Sequence, residues 1–262
     1  MLKMRLCLLL PLMLLPLHAQ VRSRGAGSQS EFSRGYLEYR YHVPDLGLRL
    51  RISDNPLATE ISGKKDLGLK NPRLSEFIFT YHGTGRSRFR AGYWQTELQA
   101  DNALSRTVIF GDTVYPLSVH VESKLELRKF EAGYAFEAVR AGDGKFQLGP
   151  LVKLTGLLTK GKLSAPSMNL SAAEDLPMGI PTVGAALEIR PHPRLHISAE
   201  FSGIKIGKYG SALDGDISVR SRPAKYLAVG GGYRYFQPTP RVDDDYLNVR
   251  LNGPYLSAGL AW

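Results

Sequence analysis

Apolar residues recur at every second position along most of the chain, and this period predicts β-strands. The clearest case is the last segment, where Leu256, Ala258, Leu260 and Trp262 alternate with small or polar residues. A period of two gives a strand one apolar face and one face of different character. The chain is therefore predicted to be all-β.

The alternation predicts about ten strands separated by connections of two kinds. Long connections follow strands one, three and five, and short turns follow strands two, four, six and eight. Long surface loops on one side, with short turns and both termini on the other, are typical of outer-membrane barrels. We therefore predict a single transmembrane antiparallel up-and-down β-barrel, in which closure pairs every backbone group in the hydrocarbon. The predicted strands are 32–52, 74–82, 87–97, 119–138, 145–155, 182–190, 195–202, 216–221, 227–235 and 247–262.

Three long connections are predicted, at 54–71, 100–116 and 161–179, with a small hairpin of its own around 107–115. A secreted lipocalin-like or sandwich domain is the soluble alternative, and it would turn its apolar residues inward. A strand of about 20 residues at 119–138 argues against a sandwich, whose strands usually have about five or six residues.

The parity of the apolar residues reverses inside two of these strands. In strand four it changes at Arg128–Lys129, and in the last strand it changes near Asn252–Pro254. One extra residue in a strand shifts every later side chain to the other face. Both reversals therefore predict β-bulges.

The N-terminus has the pattern of a secretory signal peptide. Lys3 and Arg5 precede an apolar stretch at 6–17, and cleavage is predicted after Ala19. An uncleaved helical anchor is the alternative. The predicted organisation is a signal peptide at 1–19, a flexible periplasmic segment at 20–31 and the barrel at 32–262. The single cysteine, Cys7, lies in the signal, so the mature chain would have no disulfide and no thiolate ligand.

The last two predicted strands carry a family resemblance. Gly232–Phe236 reads Gly-Tyr-Arg-Tyr-Phe, Gly253–Tyr255 reads Gly-Pro-Tyr, and the acidic run Asp243–Asp245 lies between them. With these features the chain resembles Gram-negative outer-membrane β-barrel proteins that have no assigned activity. The resemblance covers most of the mature chain and implies the fold and an outer-membrane location. A last strand ending in an aromatic also implies recognition by the barrel-assembly machinery, here through Tyr255, Leu256, Ala258, Leu260 and Trp262.

Charge narrows the choice of partners. The formal net charge is +10, but a secreted barrel meets anionic lipid head groups, including lipopolysaccharide, and no nucleic acid is predicted as a partner. The charged residues that oppose the apolar faces are predicted to fill a narrow lumen as ion pairs. The predicted lumen network comprises Arg49, Arg51, Glu76, Arg88, Arg90, Glu122, Lys124, Glu126, Arg128, Glu188, Arg190 and Arg234, with Glu131, Lys153, Glu200 and Arg220 as further members.

Three functions are compatible with this pattern. The first is a non-enzymatic barrel with a structural role or a surface-loop binding role, without metal or cofactor. The second is a narrow pore that prefers anions because arginine is in excess. The third is a lipid A-type deacylase, in which His196 would activate Ser198 and Glu200 would orient the imidazole ring.

Two weaker patterns concern acidic residues at the outer rim. An omptin-type protease would need acidic residues and a histidine there, and the candidates are Asp112, His120, Asp175 and Asp243. The run Asp243–Asp245 has the oxygen chemistry of a divalent-cation site, although most such runs are solvated.

Overall fold

The structure, a computed structural model, describes residues 34–51, 59–83, 85–110, 113–242 and 245–262. The predicted signal peptide and periplasmic segment lie outside these residues. Fifteen strands are described: β1 (Gly35–His42), β2 (Asp45–Arg51), β3 (Ile61–Ser62), β4 (Leu74–His82), β5 (Ser87–Ala103), β6 (Val108–Phe110), β7 (Thr113–Tyr115), β8 (His120–Phe136), β9 (Val139–Ala141), β10 (Phe146–Ala165), β11 (Leu170–His192), β12 (Leu195–Lys205), β13 (Gly210–Ser221), β14 (Leu227–Val242) and β15 (Asp245–Ala261).

Antiparallel pairing closes the strands into one barrel. The order around the wall is β1, β4, β5, β8, β10, β11, β12, β13, β14 and β15, and β15 pairs back onto both β1 and β2. Strands β1 and β2 together form one wall strand, interrupted at Val43–Pro44. The wall therefore has ten strands, and the predicted fold is confirmed. No helix in the described part of the chain is long and apolar enough to cross a membrane.

The lower part of the barrel, near Gly35 and Trp262, carries its apolar residues on the outside. Phe130, Tyr134 and Phe136 on β8 are about half exposed, while the alternate residues Lys129 and Glu131 are buried inside. The same arrangement runs around the wall and forms an apolar belt. A belt of this kind matches hydrocarbon, and a soluble sandwich or lipocalin would bury these side chains instead.

Above the belt the two faces exchange character. Leu125 and Leu127 on β8 are buried inside the barrel, whereas Lys124 and Arg128 face outward. The side chains of β15 change in the same way, with Leu247 to Leu251 inside and Leu256 to Leu260 outside. We call the part of the barrel above this boundary the extracellular extension.

The prediction of β-bulges at these two places is wrong. β8 keeps one register with β5 and β10 across Arg128–Lys129, and β15 keeps one register with β14 and with β1–β2 across 252–254. The parity of the apolar residues reverses because the surroundings change from hydrocarbon to water, and no residue is inserted. Within the described strands, a register shift lies between β11 and β12, near Ile189–His192.

The extracellular extension also contains more strand than the sequence predicts. The expected loop at 161–179 is mostly β10 and β11, which pair continuously and turn through a short 3-10 segment at Pro166–Met168. The residues near 237–242 likewise continue β14. The predicted hairpin around 107–115 is present as β6 and β7. β12 ends at Lys205 and β13 begins at Gly210, so their turn lies below the β10–β11 turn, because β11 continues from its last pair with β12 at Val183 up to Leu170.

Candidate functional site: the interior of the barrel

Below the boundary, charged side chains of both signs fill the interior, and the predicted lumen residue Arg220 is among them, partly exposed and 3.7 Å from Glu38. Seven carboxylates and seven cationic groups there are buried; they are Glu38, Glu76, Glu131, Glu188, Glu200, Asp214 and Asp216, with Arg40, Arg88, Arg90, Lys129, Lys153, Arg190 and Arg234. We call this set the ion-pair cluster. Alternation places each of these side chains inside because its sequence neighbours face the lipid.

Arg234 of β14 has the most carboxylate partners in the cluster. Its guanidinium nitrogens lie 2.6 Å from Glu131, 3.1 Å from Asp214 and 3.2 Å from Glu76. Asp216 is 3.7 Å away. One planar cation therefore joins carboxylates from β4, β8 and β13, which are on different sides of the barrel.

Arg40 of β1 ties the first strand to the rest of the cluster. It contacts Asp216 at 2.6 Å and Glu38 at 2.9 Å. Its guanidinium also lies 4.2 Å from the centre of the Tyr255 ring, and the Tyr255 hydroxyl donates a hydrogen bond to Asp216. The first and last strands are thus joined by side chains as well as by backbone pairing.

Glu200 of β12 gathers three cations. Arg88, Arg90 and Lys153 approach its carboxylate at 2.6, 3.1 and 3.1 Å. Arg88 also pairs with Glu188 of β11. Each of these buried charges has several partners of opposite sign, which offsets the cost of removing it from water.

The structure places the predicted lumen residues in two different environments. Glu76, Arg88, Arg90, Glu188, Arg190 and Arg234 belong to the ion-pair cluster, together with Glu131, Lys153 and Glu200. The prediction was wrong for six residues, which face outward on the extracellular extension: Arg49, Arg51, Glu122, Lys124, Glu126 and Arg128. Their side chains belong to the solvated surface, as Arg49 shows with 66% of its side chain exposed.

Five members of the cluster were missed by sequence reasoning: Glu38, Arg40, Lys129, Asp214 and Asp216. A signal for them was present. Leu37, Tyr39 and Tyr41 alternate with Glu38 and Arg40, so an outward aromatic face on β1 already implies an inward charged one. Lys129 was missed because a bulge was predicted at Arg128–Lys129, and the face to which a side chain points cannot be assigned at a bulge.

The structure does not arrange the deacylase candidates as a catalytic relay. The Ser198 hydroxyl lies 2.7 Å from the Ser218 hydroxyl and accepts a hydrogen bond from Arg220. The His196 ring lies 3.2 Å from Glu188. Since Glu200 is held by Arg88, Arg90 and Lys153, none of the three candidates contacts another candidate in the way the chemistry needs.

The omptin-type candidates are divided between described and undescribed residues. His120 pairs with Asp101 at 2.9 Å, and Asp175 pairs with Lys160 at 3.3 Å, both on the exposed outer wall. Asp112 and Asp243 lie outside the described residues, as does Asp244 of the acidic run.

Apolar residues fill the barrel directly above the ion-pair cluster. This apolar core comprises Leu46, Leu48, Leu50, Ile61, Leu67, Leu69, Leu74, Trp94, Leu98, Leu104, Val108, Phe110, Tyr115, Val121, Leu125, Leu127, Leu157, Leu163, Ala165, Phe236, Leu247, Val249 and Leu251. Strand β3, the turn after it and the β6–β7 hairpin supply part of the core. The connecting segments therefore pack into the barrel rather than extend freely from it.

An ion pair fastens one of these segments. Arg106 contacts the Asp66 carboxylate at 2.7 Å and also donates to the Glu60 carbonyl. Burial alone would raise the pKa of Asp66, but hydrogen bonds from Arg106 and from the Ser62 amide outweigh burial and hold that pKa below its usual value.

A closed wall, an apolar outer belt and a packed polar interior define an integral outer-membrane β-barrel, which crosses the membrane with strands. The chain is thus a Gram-negative outer-membrane protein. The residues that were predicted to mark the last strand agree with this arrangement: Leu256, Ala258, Leu260 and Trp262 face outward, and Tyr255 faces inward.

Comparison with solved structures gives neighbours of the same kind. The outer-membrane protease OmpT from Escherichia coli is 8% identical to this chain, with a TM-score of 0.48. The match covers 91% of this chain and 99% of the OmpT chain. The attachment invasion locus protein Ail of Yersinia pestis, solved with the heparin analogue sucrose octasulfate, is 12% identical over 87% and 99%, with a TM-score of 0.38. Neisserial surface protein A is 12% identical over 88% and 98%, with a TM-score of 0.36. No family model and no curated protein sequence matches the chain. At these identities and scores the likeness gives no role to any residue.

Proposed function

We propose that the protein is a closed, non-enzymatic barrel whose activity lies at its outer surface: it holds a rigid extracellular extension above the membrane for binding. Two layers of buried side chains fill the barrel and support this proposal. The ion-pair cluster occupies the membrane level, and the apolar core occupies the level above it. Solutes would have to displace both.

The mutual pairing of the interior charges favours a closed barrel over an anion pore. The pore hypothesis rested on an excess of arginine in the lumen, but Arg49, Arg51 and Arg128 face outward. The buried cations and carboxylates of the cluster are equal in number. An ion entering this space would compete with carboxylates and guanidinium groups that already satisfy one another.

Planar-bilayer recording tests closure. Purified protein is inserted into the bilayer, and insertion is verified in parallel vesicles by the heat-dependent electrophoretic mobility of folded barrels. We expect no discrete conductance steps. Regular steps with anion preference, at protein levels where insertion is verified, would contradict the proposal and restore the pore.

Surface presentation has its own test, because the predicted mature chain contains no cysteine. Lys124→Cys places a thiol on the outer face of the extension, and Leu125→Cys places one in the apolar core. On intact cells a membrane-impermeant maleimide should label the first variant and leave the second unlabelled. Equal labelling of both would mean that the extension is not packed as described.

The absence of enzymatic activity is part of the same proposal. His196, Ser198 and Glu200 are each engaged with other residues of the interior. Release of acyl chains from lipid A by the purified barrel, lost in a Ser198→Ala variant, would overturn it.

We also propose that the barrel-assembly machinery recognises β15. Support comes from its outward apolar residues and from its position: it closes the wall against β1, with Trp262 paired to Gly35 by backbone hydrogen bonds in both directions. A Trp262→Ala variant should show slower assembly in cells, measured by the appearance of the heat-modifiable form. An unchanged rate would argue against this role.

A further inference from the structure

The lipid-facing wall contains a groove between β10 and β14. The groove has a volume of about 310 Å³ and is lined by Leu148, Ala185, Leu187, Ala199, Phe201, Gly215, Ile217, Tyr233 and Tyr235, with the wall at Glu200 and Asp216 as part of its floor. The side chains of Glu200 and Asp216 point into the barrel, so the groove itself is apolar.

Small residues create this groove. Ala185 on β11 and Gly215 on β13 flank Phe201 of β12 in the strand pairing, and Ala199, two residues before Phe201 on the same face of β12, pairs with Leu187 and Ile217. Larger outward side chains such as Phe201, Ile217 and Tyr233 stand around them, each about half exposed or more. The volume is at the lower end of the range for small-molecule sites, about 300–1,000 Å³.

Two lysines stand above the groove at the β12–β13 turn. Phe201, Gly203 and Lys205 face outward in succession on β12, so Lys205 lies about 13 Å along the strand from Phe201, at about 3.3 Å per residue. Lys208 lies in the turn between β12 and β13. Both side chains are exposed, and neither forms an ion pair with any described residue.

These positions fit a lipid with an anionic head group. The β12–β13 turn is on the side opposite the termini, which is the outer-leaflet side, and it lies just above the belt. Lysine ammonium groups at the head-group level attract phosphate, and an apolar groove below them accepts an acyl chain. The outer leaflet of this membrane consists largely of lipopolysaccharide.

We infer that β10–β14 form a binding site for one lipopolysaccharide molecule, with an acyl chain in the groove and a lipid A phosphate against Lys205 and Lys208. The site is independent of the closure of the barrel. A conducting barrel could have it, and a closed barrel could lack it.

Two variants separate the two parts of the site. Gly215→Leu fills the groove, and a Cβ at this position meets its nearest neighbours at 3.6 Å or more, so the wall need not move. The pair Lys205→Gln and Lys208→Gln removes the charge from exposed side chains. Gly156→Leu, at another outward glycine with open space around it, and Lys160→Gln with Lys162→Gln, on the outer face of β10, are the matched controls.

Native mass spectrometry in detergent micelles measures the binding of lipid A, of lipid A without its phosphates, and of phosphatidylethanolamine. Wild-type protein should retain one lipid A and prefer it over both other lipids. Gly215→Leu should weaken lipid A binding at least ten-fold, and the Lys205/Lys208 variant should remove the preference for phosphate. The control variants should bind like wild type.

Three results would overturn the inference: lipid A binding unchanged in both test variants, equal loss in the controls, or no preference of the wild type for the phosphorylated lipid. Dimers that disappear in Gly215→Leu, without retained lipid, would instead assign the groove to a second copy of the chain. Folding of each variant is checked by heat-dependent mobility, and the exposed lysine pair supplies a test that does not depend on tolerance of a larger side chain.

Discussion

Removal of the Arg234 side chain is the strongest test of the ion-pair cluster. An Arg234→Leu change removes the shared cationic partner of four buried carboxylates, which are Glu131, Asp214, Glu76 and Asp216. Breaking a buried pair by removing one partner costs about 3–5 kcal/mol, since the remaining charge is uncompensated. Four partners place Arg234 at the upper end of that range.

The loss should appear as a lower midpoint of urea unfolding in lipid vesicles, followed by tryptophan fluorescence and by heat-dependent mobility. With a dependence of about 1–3 kcal/mol per molar urea, the midpoint falls by at least about 1 M. Arg128→Leu is the matched control. This arginine faces solvent with 49% of its side chain exposed and should change stability by less than about 0.5 kcal/mol.

A charge-balanced double variant separates electrostatics from packing. Arg234→Leu with Asp214→Leu removes one charge of each sign, so it should recover a substantial part of the stability lost in the single variant. A stability loss in Arg234→Leu no larger than that in Arg128→Leu would contradict a stabilising role for the ion-pair cluster. A double variant as unstable as the sum of the two single changes would also contradict it.

Three further predictions concern the boundary and the extension. Leu125→Ala, inside the apolar core, should destabilise the barrel by about 2–5 kcal/mol in the same urea assay, while Leu154→Ala on the exposed belt should cost much less; equal losses would contradict the inward packing of Leu125. The pKa of Asp66 is depressed, so its stabilising contribution is complete above the unfolded value of about 3.9 and is lost as pH falls through the lower folded value; protease cleavage within 59–73 should rise over that acidic range, and Asp66→Asn should remove the pH dependence. Gly253→Ala would place a Cβ 2.6 Å from the facing main chain and should lower the unfolding midpoint, whereas Gly156→Ala, with nothing within 4 Å, should not; a Gly253→Ala variant as stable as wild type would mean that the strands approach less closely.

The sequence predicts the strands and the closure well, because alternation depends only on the two faces of each strand. Phe77, Phe79 and Tyr81 mark β4 as clearly in the sequence as in the structure. The ends of the long strands were harder to predict. Lys162 and Asp175 fall in the predicted loop at 161–179, yet they lie on the solvated face of β10 and β11.

The reversal of parity was the main limit of sequence reasoning. A β-bulge and a change of surroundings produce the same one-strand pattern, in which apolar residues move from odd to even positions. Only the pairing separates them, since a bulge shifts the register with both neighbours and a change of surroundings shifts neither. The misplacement of Lys124 and Arg128 follows from that ambiguity, and Arg49 was misplaced because the apolar face of Leu48 and Leu50 was assumed to face lipid.

The boundary on β8 also sets the depth at which the barrel sits in its bilayer. If the barrel moved inward by one residue, about 3.3 Å of strand, Arg128 and the residues level with it on other strands would approach the hydrocarbon. If it moved outward, Phe130 and the residues level with it would rise into water. Both displacements are unfavourable on every long strand at once. Where the surrounding membrane is thicker or thinner than the belt, the lipid has to stretch or compress to match the protein, because the protein cannot slide to match the lipid.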